Sequence, residues 1–204
     1  AQAGVRSPEN ILEEISQLVK NQGIRSFRFI DDTFTAKPSR TLEICERLQK
    51  EHPTIIWSCL TRIDTLNEPT MRAMKKAGCR RVYIGIESGS QRMLDLYKKG
   101  YKVKKIYQTI ALLKKYQIEV SAFIMLGHPE ETRNDFEQTM QLTQNLDLDF
   151  IAIFQTAIYP GTGLYNQYSD QLVFSLFPYQ NHLKDPSKKD EFNAWEKQLY
   201  QKSY

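Results

Sequence analysis

Apolar positions recur along this chain in two rhythms. Ile11, Leu12, Ile15, Leu18 and Val19 repeat at helical spacing. Ser7-Pro8-Glu9 in front of them supplies a cap, a first-turn proline and an acid at the positive end of the helix dipole, and Gly23 closes the segment. "SFRFIDD" then reads as a strand from about Ser26 to Ile30. Pro38 to Glu51 is predicted helical, with Leu42, Cys45 and Leu48 on one face, and "TIIWSCL" is a strand. Asn67 caps a short helix carrying Met71 and Met74 that stops at Gly78. Arg81 to Ile86 is again a strand, and Ser90 to Gln117 is helical with a break near Gly100. "EVSAFIML" is a strand, Thr132 caps a helix with Phe136 and Met140, and "FIAIFQTAI" is the last clear strand.

Five strands thus begin near Phe27, Ile55, Val82, Val120 and Phe150, separated by helices on short links. Such alternation implies right-handed parallel βαβ units, and the apolar runs imply a sheet covered by helices. The expected fold class is α/β with a mainly parallel sheet. Five strands are too few for an eight-stranded barrel, which takes about 250 residues, so an open partial barrel or a doubly wound sheet is expected. In both architectures chemistry sits at the carboxyl ends of the strands. This chain places there Asp31-Asp32, then Thr61, Arg62 and Asp64, then Glu87, Ser88 and Ser90, then Gly127, Pro129 and Glu131, and finally Tyr159, Gly161 and Thr162. Ser90 and Thr132 are expected mainly to cap helices. Glu87 and the Asp31-Asp32 pair extend strongly apolar strands, where an acid needs a polar partner, and these three are the functional candidates. They are expected to face one shared cavity.

Composition narrows the class. Of 204 residues, 41% are hydrophobic and 25% charged, as in a soluble globular domain. No apolar run reaches membrane-span length, and a net charge of +4 does not call for nucleic acid. Cys45, Cys59 and Cys79 are widely spaced and lack the clustering of a metal motif, and nothing brings them together at the spacing a cluster needs. Cys45 is expected on the core-facing side of its helix. An odd number of cysteines without a signal peptide points to reduced thiols in the cytoplasm. His52, His128 and His182 are too scattered to argue for zinc.

Six phrases, in this order, carry a family resemblance: "RSPENILEEI", "FIDDTFT", "WSCLTRID", "MKKAGCRRVYIGIESGSQRML", "FIMLGHPEET" and "YPGTGLY". The chain resembles radical S-adenosylmethionine enzymes, most closely the group that usually carries a cobalamin-binding domain in front. The resemblance spans residues from about 6 to 165. It implies a partial (β/α)6 barrel in which a 4Fe-4S cluster binds S-adenosylmethionine and supplies the electron that splits its sulfonium bond. The 5′-deoxyadenosyl radical formed then abstracts hydrogen from a small-molecule substrate, while the protein positions the cofactor.

Matched to the family's motifs, Asp31 and Asp32 lie near the methionyl amine, and Glu87 and Ser88 near the ribose hydroxyls and methionyl moiety. Arg62 and Lys99 are cations for the methionyl carboxylate. Phe123 to Glu131 matches the loop beside the adenine, with Gly127 for close backbone approach and Met125 to pack on the purine. Tyr159-Pro160-Gly161-Thr162 matches a strand end also near adenine. The family's CxxxCxxC, source of three cluster thiolates, is absent, as is the first βα unit. His128 and Glu130 also depart from the residues usual in their loop.

The resemblance therefore implies the core of a larger enzyme, inactive as this chain, with methyl transfer or C–C bond or ring modification as reactions and an upstream cobalamin domain as partner. Residues 1–165 would form the core and 166–204 a polar linker and terminal helix. A methylthiotransferase core acting on RNA and a non-catalytic barrel-derived scaffold are the alternatives. The strand near Phe27 is expected to leave an edge through which chains associate.

Overall fold

The computed structural model describes residues 6–175, 180–183 and 185–203. The strands are β1 (Ser26–Phe29), β2 (Ile56–Arg62), β3 (Cys79–Glu87), β4 (Glu119–Leu126), β5 (Phe150–Gln155), β6 (Leu172–Ser175) and β7 (Gln180–Leu183). The helices are α1 (Pro8–Gln22), α2 (Pro38–Glu51), α3 (Glu68–Lys76), α4 (Gln91–Leu96), α5 (Val103–Lys115), α6 (Arg133–Asn145), α7 (Gly163–Tyr168) and α8 (Pro186–Ser203). Five strands form one sheet in the order β1-β2-β3-β4-β5, and β6 pairs with β7 antiparallel. β1 pairs β2, and β2 pairs β3, in parallel register, with an irregularity between Trp57 and Ser58.

The chain divides into two compact units. The first takes residues up to Ile86, with Gly100–Ala122 and Asp147–Phe150, and the second Glu87–Lys99, Phe123–Leu146 and Ile151–Tyr204. In the first, Ser7 accepts the Asn10 amide at the start of α1 and Gly23 closes it in the left-handed conformation. α2 buries Thr41, Ile44, Cys45 and Leu48. Leu42, expected on that face, is largely exposed, because the buried stripe follows the i, i+3, i+4, i+7 positions counted from Thr41. Trp57 anchors the core: its indole N–H donates to the Ala77 carbonyl at 2.7 Å, and Phe29 and Phe34 pack on its ring. In β3, Val82, Ile84 and Ile86 are buried, whereas Tyr83 and Gly85 are half-buried. β3, whose apolar run implied cover on both faces, thus buries one face fully and the other in part.

The second unit has its own aromatic core. Phe136 of α6 stacks on Trp195 of α8 at 4.9 Å, and Phe192 meets Trp195 edge-on. Thr132 and Asp135 form a capping box at the start of α6. The tail holds the β6–β7 hairpin and α7, neither signalled by its polar composition, and β5 ends at Gln155, sooner than its apolar run predicts. Among the described residues no helix is long and apolar enough to cross a membrane.

Candidate functional site

Strand β3 delivers Glu87 from the core with an unusual backbone. Its φ is +68°, in the left-handed region that a residue with a Cβ avoids. Such a conformation costs on the order of 1–3 kcal/mol and persists where the surroundings over-determine it. Glu87 is only 8% exposed. Its partner is Lys99, whose Nζ donates to Oε1 at 2.6 Å. This pairing meets the demand that a buried acid be matched. Lys99, matched by the resemblance to a ligand carboxylate, is thus tied to Glu87.

The turn after Glu87 is fastened to α6. The Ser88 hydroxyl lies 2.9 Å from Thr139 Oγ1, the Gly89 amide donates to the same oxygen at 3.0 Å, and the Ser90 amide donates to Ser88 Oγ. Ser90 caps α4 and its hydroxyl donates to Asp135 Oδ1 at 2.5 Å. Asp135 also accepts from Arg92 and from the Thr132 amide. Burial opposes the charge of Asp135, but the Arg92 guanidinium and the Ser90 and Thr132 donors hold its carboxyl well below the usual carboxylate range. The Ser88 hydroxyl, a cofactor-binding candidate from the motif match, is fully buried and committed to this fastening. Gly89 has no room for a side chain: a Cβ there would lie 2.3 Å from the Gln138 carbonyl oxygen.

The loop after β4 is closed by Glu131. Its Oε2 accepts the Gly127 amide at 2.6 Å, while its buried Oε1 has no partner among the described residues. Burial pushes Glu131 up to about 7, against the pull of the Gly127 and His128 backbone hydrogen bonds. Gly127 has φ +84°, and a Cβ there would meet the Phe192 ring at 3.2 Å. The absent side chain at Gly127 therefore makes room for α8. His128 Nδ1 accepts the Glu130 amide, which puts the proton of the neutral ring on Nε2, and burial lowers its pKa. Tyr97 and Tyr168 flank its ring edge-on. Met125 is half-buried between the buried Ile124 and Leu126. Tyr159 is exposed and its carbonyl accepts the Thr162 hydroxyl at 2.7 Å, and Gly161 has φ +85°.

In the first unit, Asp31 and Asp32 line a cavity of about 790 Å³ with Ile15, Leu18, Phe27 and Arg40. Arg40 Nη2 donates to Asp31 Oδ1 at 3.2 Å, and Asp32 is exposed. Arg62 grips Asp64 through two hydrogen bonds of 2.9 and 2.8 Å. Burial raises the Cys59 thiol, with a hydrogen bond to Cys79 adding to it, and burial together with Cys79 pushes Cys45 up to about 12. All three are buried free thiols.

Thr139, Asp135 and the closing role of Glu131 are the contributions that sequence reasoning missed. The Thr132-x-x-Asp135 spacing signals a capping box, and Thr139 lies four residues on, on the same helix face.

The sequence model of the Radical SAM superfamily matches residues 2–143, and the chain belongs to this superfamily. It is 36% identical over 159 residues to an uncharacterized methyltransferase of Pyrococcus horikoshii, a match covering 78% of this chain and 35% of the relative. It is 25% identical over 194 residues to the anaerobic magnesium-protoporphyrin IX monomethyl ester cyclase of Rubrivivax gelatinosus, covering 94% of this chain and 35% of that protein. Among solved structures it is similar in fold to the radical S-adenosylmethionine methyltransferase TsrM from Kitasatospora setae, solved with cobalamin and a 4Fe-4S cluster bound. The TM-score is 0.74 at 17% identity, over 82% of this chain and 34% of that one. The fold class is therefore α/β, of the partial-barrel type. The chain spans about a third of the length of these relatives.

The family's two cofactors fare differently against these residues. For a 4Fe-4S cluster there is no fit: among the described residues no group of three His, Cys, Asp or Glu side chains is placed to hold a metal. For S-adenosylmethionine the donor set at the end of β3 fits, since a buried, fixed carboxylate suits ribose hydroxyls and an ammonium suits a carboxylate.

Proposed function

We propose that this chain is the S-adenosylmethionine-holding core of a radical enzyme. The observation that carries this reading is Glu87, a nearly buried carboxylate held in a left-handed backbone at a strand's carboxyl end inside the superfamily match. In this reading Glu87 accepts hydrogen bonds from the ribose hydroxyls, and Lys99 orients Glu87 and offers its charge to the methionyl carboxylate. Met125, Tyr159 and the Gly161 turn contribute to the adenine side. Asp31, Asp32 and Arg62 are kept as contacts to the methionyl end. S-adenosylmethionine supplies, when bound, a sulfonium carbon–sulfur bond open to reductive cleavage. The chain's own residues bind it, orient it and keep water from it.

The narrower reaction is methyl transfer or C–C bond or ring modification on a small molecule, with cobalamin held by a domain outside this chain. The Pyrococcus methyltransferase and the Rubrivivax cyclase support it by likeness. Without cluster ligands, the chain alone does not cleave S-adenosylmethionine. The deciding experiment is binding of S-adenosylmethionine to protein carrying Glu87→Gln. Loss of a charged acceptor is expected to cost roughly 1.5–3 kcal/mol of binding free energy, and an unchanged affinity removes Glu87 from the site.

β1 stands at one end of the strand order, so one of its edges has no strand partner among the described residues. Such an edge supports self-association of the isolated chain. Sedimentation velocity is expected to show concentration-dependent dimers, and a monomer at all concentrations would count against it.

A further inference from the structure

We propose that Thr139 of α6, seated by Asp135, is a positioning residue for Glu87, fixing the turn that points the carboxylate at its ligand. This rests on the reading of Glu87 as a nucleoside contact. The left-handed backbone of Glu87 needs something to hold it, and the hydrogen bonds that follow it converge on one hydroxyl. The donors and acceptors form a closed chain. Thr139 donates its hydroxyl proton to the Asp135 carbonyl at 3.0 Å, leaving both lone pairs to accept from Ser88 Oγ and the Gly89 amide. Ser88 Oγ in turn accepts from the Ser90 amide. The Ser88, Ser90 and Thr139 hydroxyls and the Gly89 and Ser90 amides all have partners in this buried cluster, in one donor–acceptor arrangement. The turn therefore has one conformation, and Glu87 leaves it in one direction.

Two further contacts fix the register. Gly89 lies so close to the α6 backbone that a Cβ would come within 2.7 Å of Thr139 Cα, so α6 and the turn cannot slide past one another. The Asp135 side chain receives the Ser90 hydroxyl, which closes the far end of the turn. Valine at position 139 keeps the shape of threonine and removes its donor and both acceptor sites. Serine keeps all three.

The test uses the full chain and S-adenosylhomocysteine as probe, titrated by heteronuclear NMR, which reads dissociation constants into the millimolar range. Glu87→Gln and Thr139→Val are each expected to weaken binding by about tenfold, and the double variant to bind no more weakly than Glu87→Gln alone. Thr139→Ser is expected to bind as the unaltered chain does. Independent, additive losses, or an unchanged affinity for a folded Thr139→Val, overturn the inference while leaving the reading of Glu87 in place. No effect of Glu87→Gln, or no binding at all, overturns both. If Thr139→Val fails to fold, Ser88→Ala cuts the same link from the other side. Its expected loss is also about tenfold and non-additive with Glu87→Gln, and an unchanged affinity is again overturning.

Discussion

Glu87 at the end of β3 and Asp31-Asp32 at the end of β1 are acids at the carboxyl ends of apolar strands, and they are held in opposite ways. Glu87 is almost buried, bound to Lys99, and followed by a turn whose two serine hydroxyls and Gly89 amide are engaged with α6. Asp31 is about a third exposed and touches Arg40 across 3.2 Å, and Asp32 faces solvent beside an open cavity. One acid is placed by a network and the other by a single ion pair whose carboxylate reaches solvent. A buried network fixes direction, because a misdirected group leaves unpaired donors behind. A single pair with a solvent-reaching carboxylate leaves the acid freer to follow a ligand.

The sharpest way to break this contrast is at Gly89. A Cβ there would sit 2.3 Å from one backbone oxygen and 2.7 Å from two backbone carbons of α6, none of which is a flexible side-chain end. Gly89→Ala is therefore expected to destabilise the chain by about 3 kcal/mol, through overpacking and loss of the Gly89 hydrogen bond. Urea denaturation followed by circular dichroism measures it. A cost below about 1 kcal/mol would mean that the turn is not pinned to α6 as described.

These opposite designs were unequally legible. The helix starts at Ser7 and Asn67, the stop at Gly23 and the break at Gly100 are local chemistry, and they lie where the pattern of residues puts them. Glu87 stood out because an acid directly after Val82-Tyr83-Ile84-Gly85-Ile86 demands a partner. That the partner is Lys99 depends on how α4 returns the chain, which no periodicity encodes. Thr139 was invisible for a related reason. It lies 50 residues from Gly89 in sequence, and a buried threonine on a helix carries no mark of the amide it will meet. The hairpin was missed because strands of four residues give too short an alternation to read.

A second probe of the tightly held region is its pH dependence. Glu131 closes the loop of Gly127 with one oxygen while the other is buried without a partner among the described residues, and burial pushes its pKa to about 7. Between the ordinary carboxylate range and about 7, the folded chain keeps a proton that the unfolded chain has released. Stability from this group is thus complete below the unfolded pKa and falls as pH rises through the folded one. Glu131→Gln removes the charge and keeps an acceptor for the Gly127 amide. It is expected to raise stability at about pH 8 by on the order of 2 kcal/mol, with little change near pH 4. Thermal unfolding across that range measures it, and parallel pH profiles for both proteins would show that Glu131 is not the titrating group.

The smallest effect belongs to the loosely held acid. In Asp31→Asn the Arg40 guanidinium loses a charged partner but keeps the Arg6 carbonyl at 3.1 Å and the Phe34 ring at 6.0 Å. The Asp31 side chain is 30% exposed and that of Arg40 9%, but asparagine keeps an Oδ1 acceptor for the guanidinium, so only the charge of the acceptor is lost. The expected loss of stability is below about 1 kcal/mol, and smaller still in high salt, since the carboxylate side of the pair reaches solvent and is screened. Urea denaturation at low and high ionic strength measures it directly. A salt-independent loss as large as that of Gly89→Ala would show that Asp31 is as firmly built in as Glu87, and the contrast between the two strand ends would fail. A small, salt-sensitive loss leaves Asp31 available to exchange Arg40 for a cationic ligand group, which is what a contact to an ammonium requires.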